Sequence, residues 1–227
     1  MHKTREAIDQ QQVAEMIINQ LNKIEHPILF NTEMIKAILE GHKTMTRRLL
    51  RSIEEDNFRQ IERIWLEDGE WLAESKSGLI YKGFIKCPYG KKGDILWVRE
   101  TFTELQKGEF KYKASIPNRL ESGIWKPSIH MPKSAARIWL RIKNIRIERI
   151  CNISYKDCIA EGIEKYGPFG EYKGAPHPGG MLFRAFKFPQ SAFRSIWVYM
   201  NGEKSWKENP WVWVIEFEVL STTGKPN

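Results

Sequence analysis

The feature that most restricts the fold is a change of parity inside one long strand. Over residues 137–150, Ile138, Leu140 and Ile142 share one face, and Ile145 and Ile147 continue on the opposite one. Side chains alternate along a strand, so the two apolar sets can bury together only if a residue is extruded between them. The slip falls at Lys143-Asn144 and predicts a β-bulge, which lets a sheet curl. A second strand is predicted over 211–219, with Trp211, Trp213, Ile215, Phe217 and Val219 on one side.

Short helices accompany these strands. Met34, Ile35, Ile38 and Leu39 give residues 31–40 one apolar face; Asn31 or Thr32 caps the start and Gly41 ends it. Ser154 opens a helix that Gly162 closes, with Glu161 in its last turn. Pro189 starts another, with Ala192, Phe193, Ile196, Trp197 and Met200 on one face. Residues 6–24 and 52–63 also read as helical, and 71–73 and 79–86 as a hairpin around Lys76-Ser77-Gly78. Residues 115–134 and 164–182 read as loops. This mixture predicts an α+β chain: a small curled sheet with helices at its mouth.

Chemistry concentrates in Gly41-His42-Lys43-Thr44-Met45-Thr46-Arg47-Arg48. The residues after the glycine alternate, so Thr44, Thr46 and Arg48 fall on one face of a strand and Met45 and Arg47 on the other. A helix–glycine–strand corner thus gathers an amine, hydroxyls and guanidinium groups, a set suited to a phosphate, a nucleobase or a developing oxyanion. Further along, Ile95 to Val98 are apolar on both faces and then give way to Arg99 and Glu100, so the strand emerges at a cavity rim or ends in an ion pair. Trp125 and His130 sit in the long loop, a candidate binding loop, and Arg137 follows it.

Lys and Arg total 36 against 28 Asp and Glu, a formal charge of +8, which favours an anionic partner such as nucleic acid. Nine Trp offer stacking surfaces as well as barrel plugs. Three Cys without CxxC spacing argue against a disulfide framework and for a reducing compartment. With His130 and His177 they match no zinc pattern, so no metal or cofactor is expected. There is no apolar run of about 18 residues and no signal-peptide pattern, so a cytoplasmic protein with no membrane partner is expected.

Four blocks resemble the ASCH domains of the PUA-like superfamily, most closely the longer versions encoded by phages and prophages: residues 38–48, 93–101, 153–163 with Ala160-Glu161-Gly162, and 209–217. The resemblance spans about residues 28–220. It implies a helical arm at 1–27, an insertion at 51–92 outside the compact domain, the loop at 115–134, and a tail at 221–227. It implies a PUA-like curled barrel with a cleft beside the glycine–lysine corner, binding RNA or a modified nucleoside in the cytoplasm of a bacterial host. One small member of the family removes the acetyl group of acetylcytidine. Its catalytic lysine, threonine and glutamate fall on Lys43, Thr46 and Glu161.

Two chemistries follow. In amide hydrolysis Thr46 attacks, a neutral Lys43 takes its proton, and a protonated Glu161 delivers a proton to the leaving amine. The helix dipole disfavours negative charge at Glu161, which suits an acid, and favours the cation at Lys43, which opposes a base. In binding without turnover Lys43 stays charged. Lys43 and Arg48 meet an anion, Thr46 and Glu161 a base edge, and Trp125 stacks; Thr44, Arg47, Arg99, Glu100, His130 and Arg137 complete the candidate surface. Binding requires less alignment and is the leading expectation. Amidohydrolase, ribonuclease and phage-encoded interaction protein follow.

Overall fold

The computed structural model describes residues 24–51, 60–116, 124–177 and 183–226. The helix expected at 6–24 and most of that expected at 52–63 lie outside these. The chain is mixed α+β and dominated by strands. Its centre is a five-stranded sheet in the order β1 (Glu25–Leu29), β6 (Ile95–Arg99), β9 (Trp139–Arg149), β13 (Trp211–Ser221), β2 (Met45–Leu49). β1 and β6 run parallel; the other neighbours are antiparallel. β1 begins at Glu25, so the sheet starts within the expected arm.

The parity slip has its predicted cause. Asn144 pairs with Glu216 and Ile142 with Phe217, which leaves Lys143 without a partner on β13. The bulge returns Ile145 and Ile147 to the core that holds Leu140 and Ile142. The sheet curls, yet β1 and β2 form no ladder, so no closed barrel is present among the described residues. The two edges still approach each other: Arg48 Nη2 on β2 donates to the Leu29 carbonyl on β1 at 2.5 Å.

β13 divides two cores. Trp211, Trp213, Ile215 and Phe217 face a cluster with Phe30, Ile35 and Ile38, while Val212 and Val214 face one with Cys158, Phe193 and Trp197. Helix α1 (Thr32–Leu39) belongs to the first. So does the sheet of β3 (Ile61–Glu67), β4 (Glu70–Ser75) and β5 (Ile80–Ile85), with Trp71 set edge-on to Trp213 at 5.2 Å. The segment expected to stand outside the compact domain therefore helps to bury it: Ile61, Ala73 and Ile85 are core residues. Where a helix was expected to continue to Arg63, β3 forms instead, because Ile61 and Ile64 have a core to meet.

The hairpin of β7 (Phe102–Gln106) and β8 (Glu109–Tyr112) precedes the long loop, which folds into 3-10 turns at Ser128–His130 and Lys133–Ala135. On the second core lie α2 (Tyr155–Ala160) and α3 (Pro189–Asn201), a short α4 (Glu203–Lys207), and a sheet of β10 (Lys165–Tyr166), β11 (Glu171–Pro176) and β12 (Phe183–Phe186). That sheet corrects the loop expected over 164–182. Tyr172 and Ala175 on β11 are buried, and tertiary packing outweighs the local glycine content. Cys87, Cys151 and Cys158 are free thiols. Among the described residues no helix is long and apolar enough to cross a membrane.

Candidate active site at the edge of the central sheet

Two helix ends build the site. Asn31 Oδ1 accepts from the Met34 amide at 2.8 Å and starts α1. At its other end Gly41, at φ 77°, turns the chain so that the His42 and Lys43 amides both donate to the Ala37 carbonyl, at 2.8 and 3.0 Å. Ser154 Oγ accepts from the Asp157 amide and starts α2. Gly162 closes it at φ 92°, and a Cβ there would lie 3.2 Å from Ala37 Cβ and 3.3 Å from Lys43 Cβ. Glycine therefore lets the two helix ends touch. An isolated antiparallel bridge joins Lys43 to Glu161, and the Thr44 amide donates to the Ala160 carbonyl at 2.8 Å.

This bridge brings together side chains 118 residues apart. Lys43 Nζ donates to Glu161 Oε2 at 2.6 Å and to the Glu161 carbonyl at 2.8 Å. Lys43 is 1% exposed. Burial pushes its pKa down from the ordinary lysine value, against the pull of Glu161 and with help from Arg48 and Arg47. The other Glu161 oxygen accepts from Arg47 Nη1 at 3.2 Å.

Arg47 is the hub of a larger network. Its Nη2 donates to Glu148 Oε1 at 2.5 Å and to Asp157 Oδ2 at 2.7 Å. Burial alone would lower the Arg47 pKa, but Glu161 and then Glu148 and Asp157 more than reverse that, so it is raised. Arg146 donates to Asp157 at 2.7 Å and to Glu148 at 3.3 Å, and also bonds Glu216. The sequence reading missed Glu148, Asp157, Arg146 and Glu216. A signal existed in the sheet register: Arg47 and Arg146 both pair with Val214, and Glu148 with Val212, so these side chains share one face. That register requires knowing which strands are neighbours.

Thr46 and Arg48 occupy the other face of β2, as the alternation predicts. Thr46 is fully buried, and its Oγ1 has no hydrogen-bond partner among the described residues. Arg48 stacks on the Phe30 ring at 4.9 Å, and Lys43 Nζ lies 6.0 Å from the same ring. Burial lowers the Arg48 pKa.

A cleft of about 620 Å³ opens along the unpaired edge of β2. Glu161, Arg47 and Arg48 line it, with Tyr89, Phe193, Trp197 and Trp213 supplying aromatic walls. Lys43 and Thr46 do not line it: Lys43 lies behind Glu161, and Thr46 is sealed in the interior.

The other expected residues lie elsewhere. Thr44 is exposed and outside the cleft. Glu100 is buried, with both carboxylate oxygens held by Arg137 at 2.9 Å. Arg137 also donates to Ser115 Oγ at 2.7 Å and stacks on Tyr112 at 4.1 Å. Arg99 donates to the Met131 carbonyl at 3.1 Å and bonds the Ile129 carbonyl. The ion-pair alternative thus describes Glu100, with Arg137 rather than Arg99 as partner. His130 lines a separate depression of about 560 Å³ between the β7–β8 hairpin and the long loop. Trp125 lines neither opening.

Among the described residues, the group able to share a metal ion is Glu40, His42 and Glu164, with ligand atoms within 4.8 Å of one another. None of the three lines the cleft, and one Glu164 oxygen accepts from Lys173 at 3.1 Å. No protein-family model, curated protein or solved structure matches the chain.

Proposed function

We propose that the chain is a nucleic-acid or modified-nucleoside binding protein of ASCH, PUA-like type, which holds a base in the cleft beside β2. One observation carries this reading: Glu161 stands in an aromatic-walled cleft with its carboxylate fixed from two sides by Lys43 and Arg47. A carboxylate accepts hydrogen bonds, so it matches the amino edge of a base, while Trp197 and Tyr89 offer stacking faces. The fixed geometry means that little ordering remains to be done when ligand arrives.

Calorimetric titration with acetylcytidine, cytidine and uridine tests it. The expected result is saturable binding that favours the amino-bearing bases and weakens about tenfold or more in Glu161→Gln. Equal affinity for all three nucleosides, or an unaffected Glu161→Gln variant, would sink the reading.

A second reading, deacylation of acetylcytidine-like nucleosides, draws on the Thr46 hydroxyl. A fully buried hydroxyl without a partner is uncommon and marks Thr46 as a spare nucleophile, although it does not line the cleft, which is one reason this reading comes second. Lys43 Nζ and a Glu161 oxygen lie 2.6 Å apart, close enough for a proton to pass between them. Moved from amine to carboxyl, that proton yields the base and the acid that hydrolysis requires, with no change in total charge. Thr46 Oγ would attack the acyl carbon and pass its proton to Lys43 Nζ. Glu161 would protonate the departing exocyclic nitrogen, and water would then release acetate from the acyl-threonine. Arg47 works the other way, since its cation favours the ionised carboxylate, and for this reason binding leads. Release of acetate by wild type, absent in Thr46→Val and Lys43→Met, would promote the second reading over the first.

A further inference from the structure

Arg47 and Arg48 are neighbours in sequence and opposites in electrostatics. Arg47 meets three carboxylates. Arg48 forms no ion pair among the described residues and feels only the more distant charge of Glu161: its hydrogen bonds run to the Leu29 and Arg47 carbonyls, at 2.5 and 3.3 Å, and its flat side to Phe30. Carbonyl oxygens solvate a guanidinium without neutralising it, and a cation shielded from water favours an anion that can replace the lost hydration. Arg51 and Lys86 line the same cleft, and neither has a carboxylate partner among the described residues. The cleft is therefore divided. Its floor, where Lys43 and Arg47 meet Glu161, is internally compensated. Among the described residues, Arg48, Arg51 and Lys86 leave the lining with positive charge in excess.

Resting on the reading above, we infer that the cleft selects a base-bearing unit that carries a phosphate, and that Arg48 is the residue that selects for it. The expectation that Lys43 and Arg48 share one anion gives way to a split: Lys43 is committed to Glu161, and the anion belongs to Arg48. The planar fork of a guanidinium suits two phosphate oxygens, and three cations lining one cleft suit a group of more than one negative charge. The phosphate has two possible sources, a free nucleotide or the backbone of a strand, and both present the same chemistry to Arg48.

The test is calorimetry on the full chain with acetylcytidine, its 5′- and 3′-monophosphates, and a short oligonucleotide containing it. At least one monophosphate should bind about tenfold or more tightly than the nucleoside. In Arg48→Met that ratio should fall to near one, and it should persist in Arg141→Met, which removes a cation that pairs with Glu218 outside the cleft. If circular dichroism finds Arg48→Met unfolded, Arg48→Lys keeps the charge without the fork, and the ratio should shrink to a few-fold. An oligonucleotide tighter than the monophosphates identifies a strand as the source, and a weaker one identifies the free nucleotide. Either order supports the inference if the advantage disappears with Arg48. Nucleoside as tight as both monophosphates in wild type, or a ratio that survives Arg48→Met, overturns it while leaving base binding intact. Failure of every compound to bind removes the cleft reading itself.

Discussion

The chain buries two carboxylate–guanidinium assemblies, and they differ in what they leave unsatisfied. Beyond β6, both oxygens of Glu100 are held by Arg137, which also bonds Ser115, while Arg99, like Arg48, bonds backbone carbonyls. At the edge of β2, Glu161 is matched to Lys43 and Arg47, but Thr46 keeps a buried hydroxyl with no partner, and Arg48 makes no ion pair of its own among the described residues, feeling only the more distant charge of Glu161. The first assembly ties its charges to Ser115 and to the Ile129 and Met131 carbonyls, and so anchors the loop that follows β8. The second opens on a cleft and has bonding capacity left for a ligand. Burial of an ion pair does not distinguish a site from a strut; the neighbouring groups left open do.

The sharpest attempt to break this contrast is Arg47→Met. It leaves Glu148, Asp157 and Glu161 facing one another with their shared cation gone, and should lower unfolding stability by roughly 5 kcal/mol, read from urea denaturation. Arg137→Met strands only Glu100 and should lower stability by roughly 3 kcal/mol while leaving the affinity of the β2 cleft for nucleosides intact. A comparable loss of ligand affinity in Arg137→Met would erase the distinction between strut and site.

A pH series probes Lys43. Its folded pKa is lowered from 10.5, so between that lowered value and 10.5 the unfolded chain binds more protons than the native one. Stability attributable to Lys43 therefore rises with pH through that window, is complete above 10.5, and is lost as pH falls through the folded value. Urea melts of wild type and Lys43→Met from neutral to alkaline pH should show the difference moving in favour of wild type as pH rises. A flat difference would mean that Lys43 titrates alike in both states.

The smallest effect is expected at Thr46. Thr46→Val removes a buried hydroxyl that bonds nothing while keeping its shape, so it should be neutral or stabilising by up to about 1 kcal/mol. Ligand affinity or turnover should fall in the same variant. A destabilised Thr46→Val would reveal a bonded hydroxyl and place β2 with the strut.

Much of this was legible along the chain because it depends on near neighbours. The bulge at Lys143 follows from a change of parity within a single strand. The ends of α1 and α2 follow from Asn31, Gly41, Ser154 and Gly162, each acting on backbone a few residues away. The alternation that sets Arg47 and Arg48 on opposite faces of β2 is likewise local. The motif around the glycine–lysine corner singled out Lys43, Thr46 and Glu161, of which the fold brings Lys43 and Glu161 into contact and buries Thr46 on the opposite face of β2 from Arg47, outside the cleft lining.

What the chain could not disclose is which side chain answers which. Arg47 and Arg48 are the same residue type in adjacent positions. Only the approach of α2 and β9 on one face, and of β1 on the other, leaves one neutralised and the other not. Glu100 and Glu161 are both carboxylates beside apolar segments, and only sheet order decides that one meets Arg137 in a closed fit and the other a cleft. Local sequence fixes dihedral angles and the direction in which a side chain leaves the backbone. Charge compensation depends on groups distant along the chain, 37 residues apart for Glu100 and Arg137 and 118 for Lys43 and Glu161, and those contacts exist only once the chain has folded.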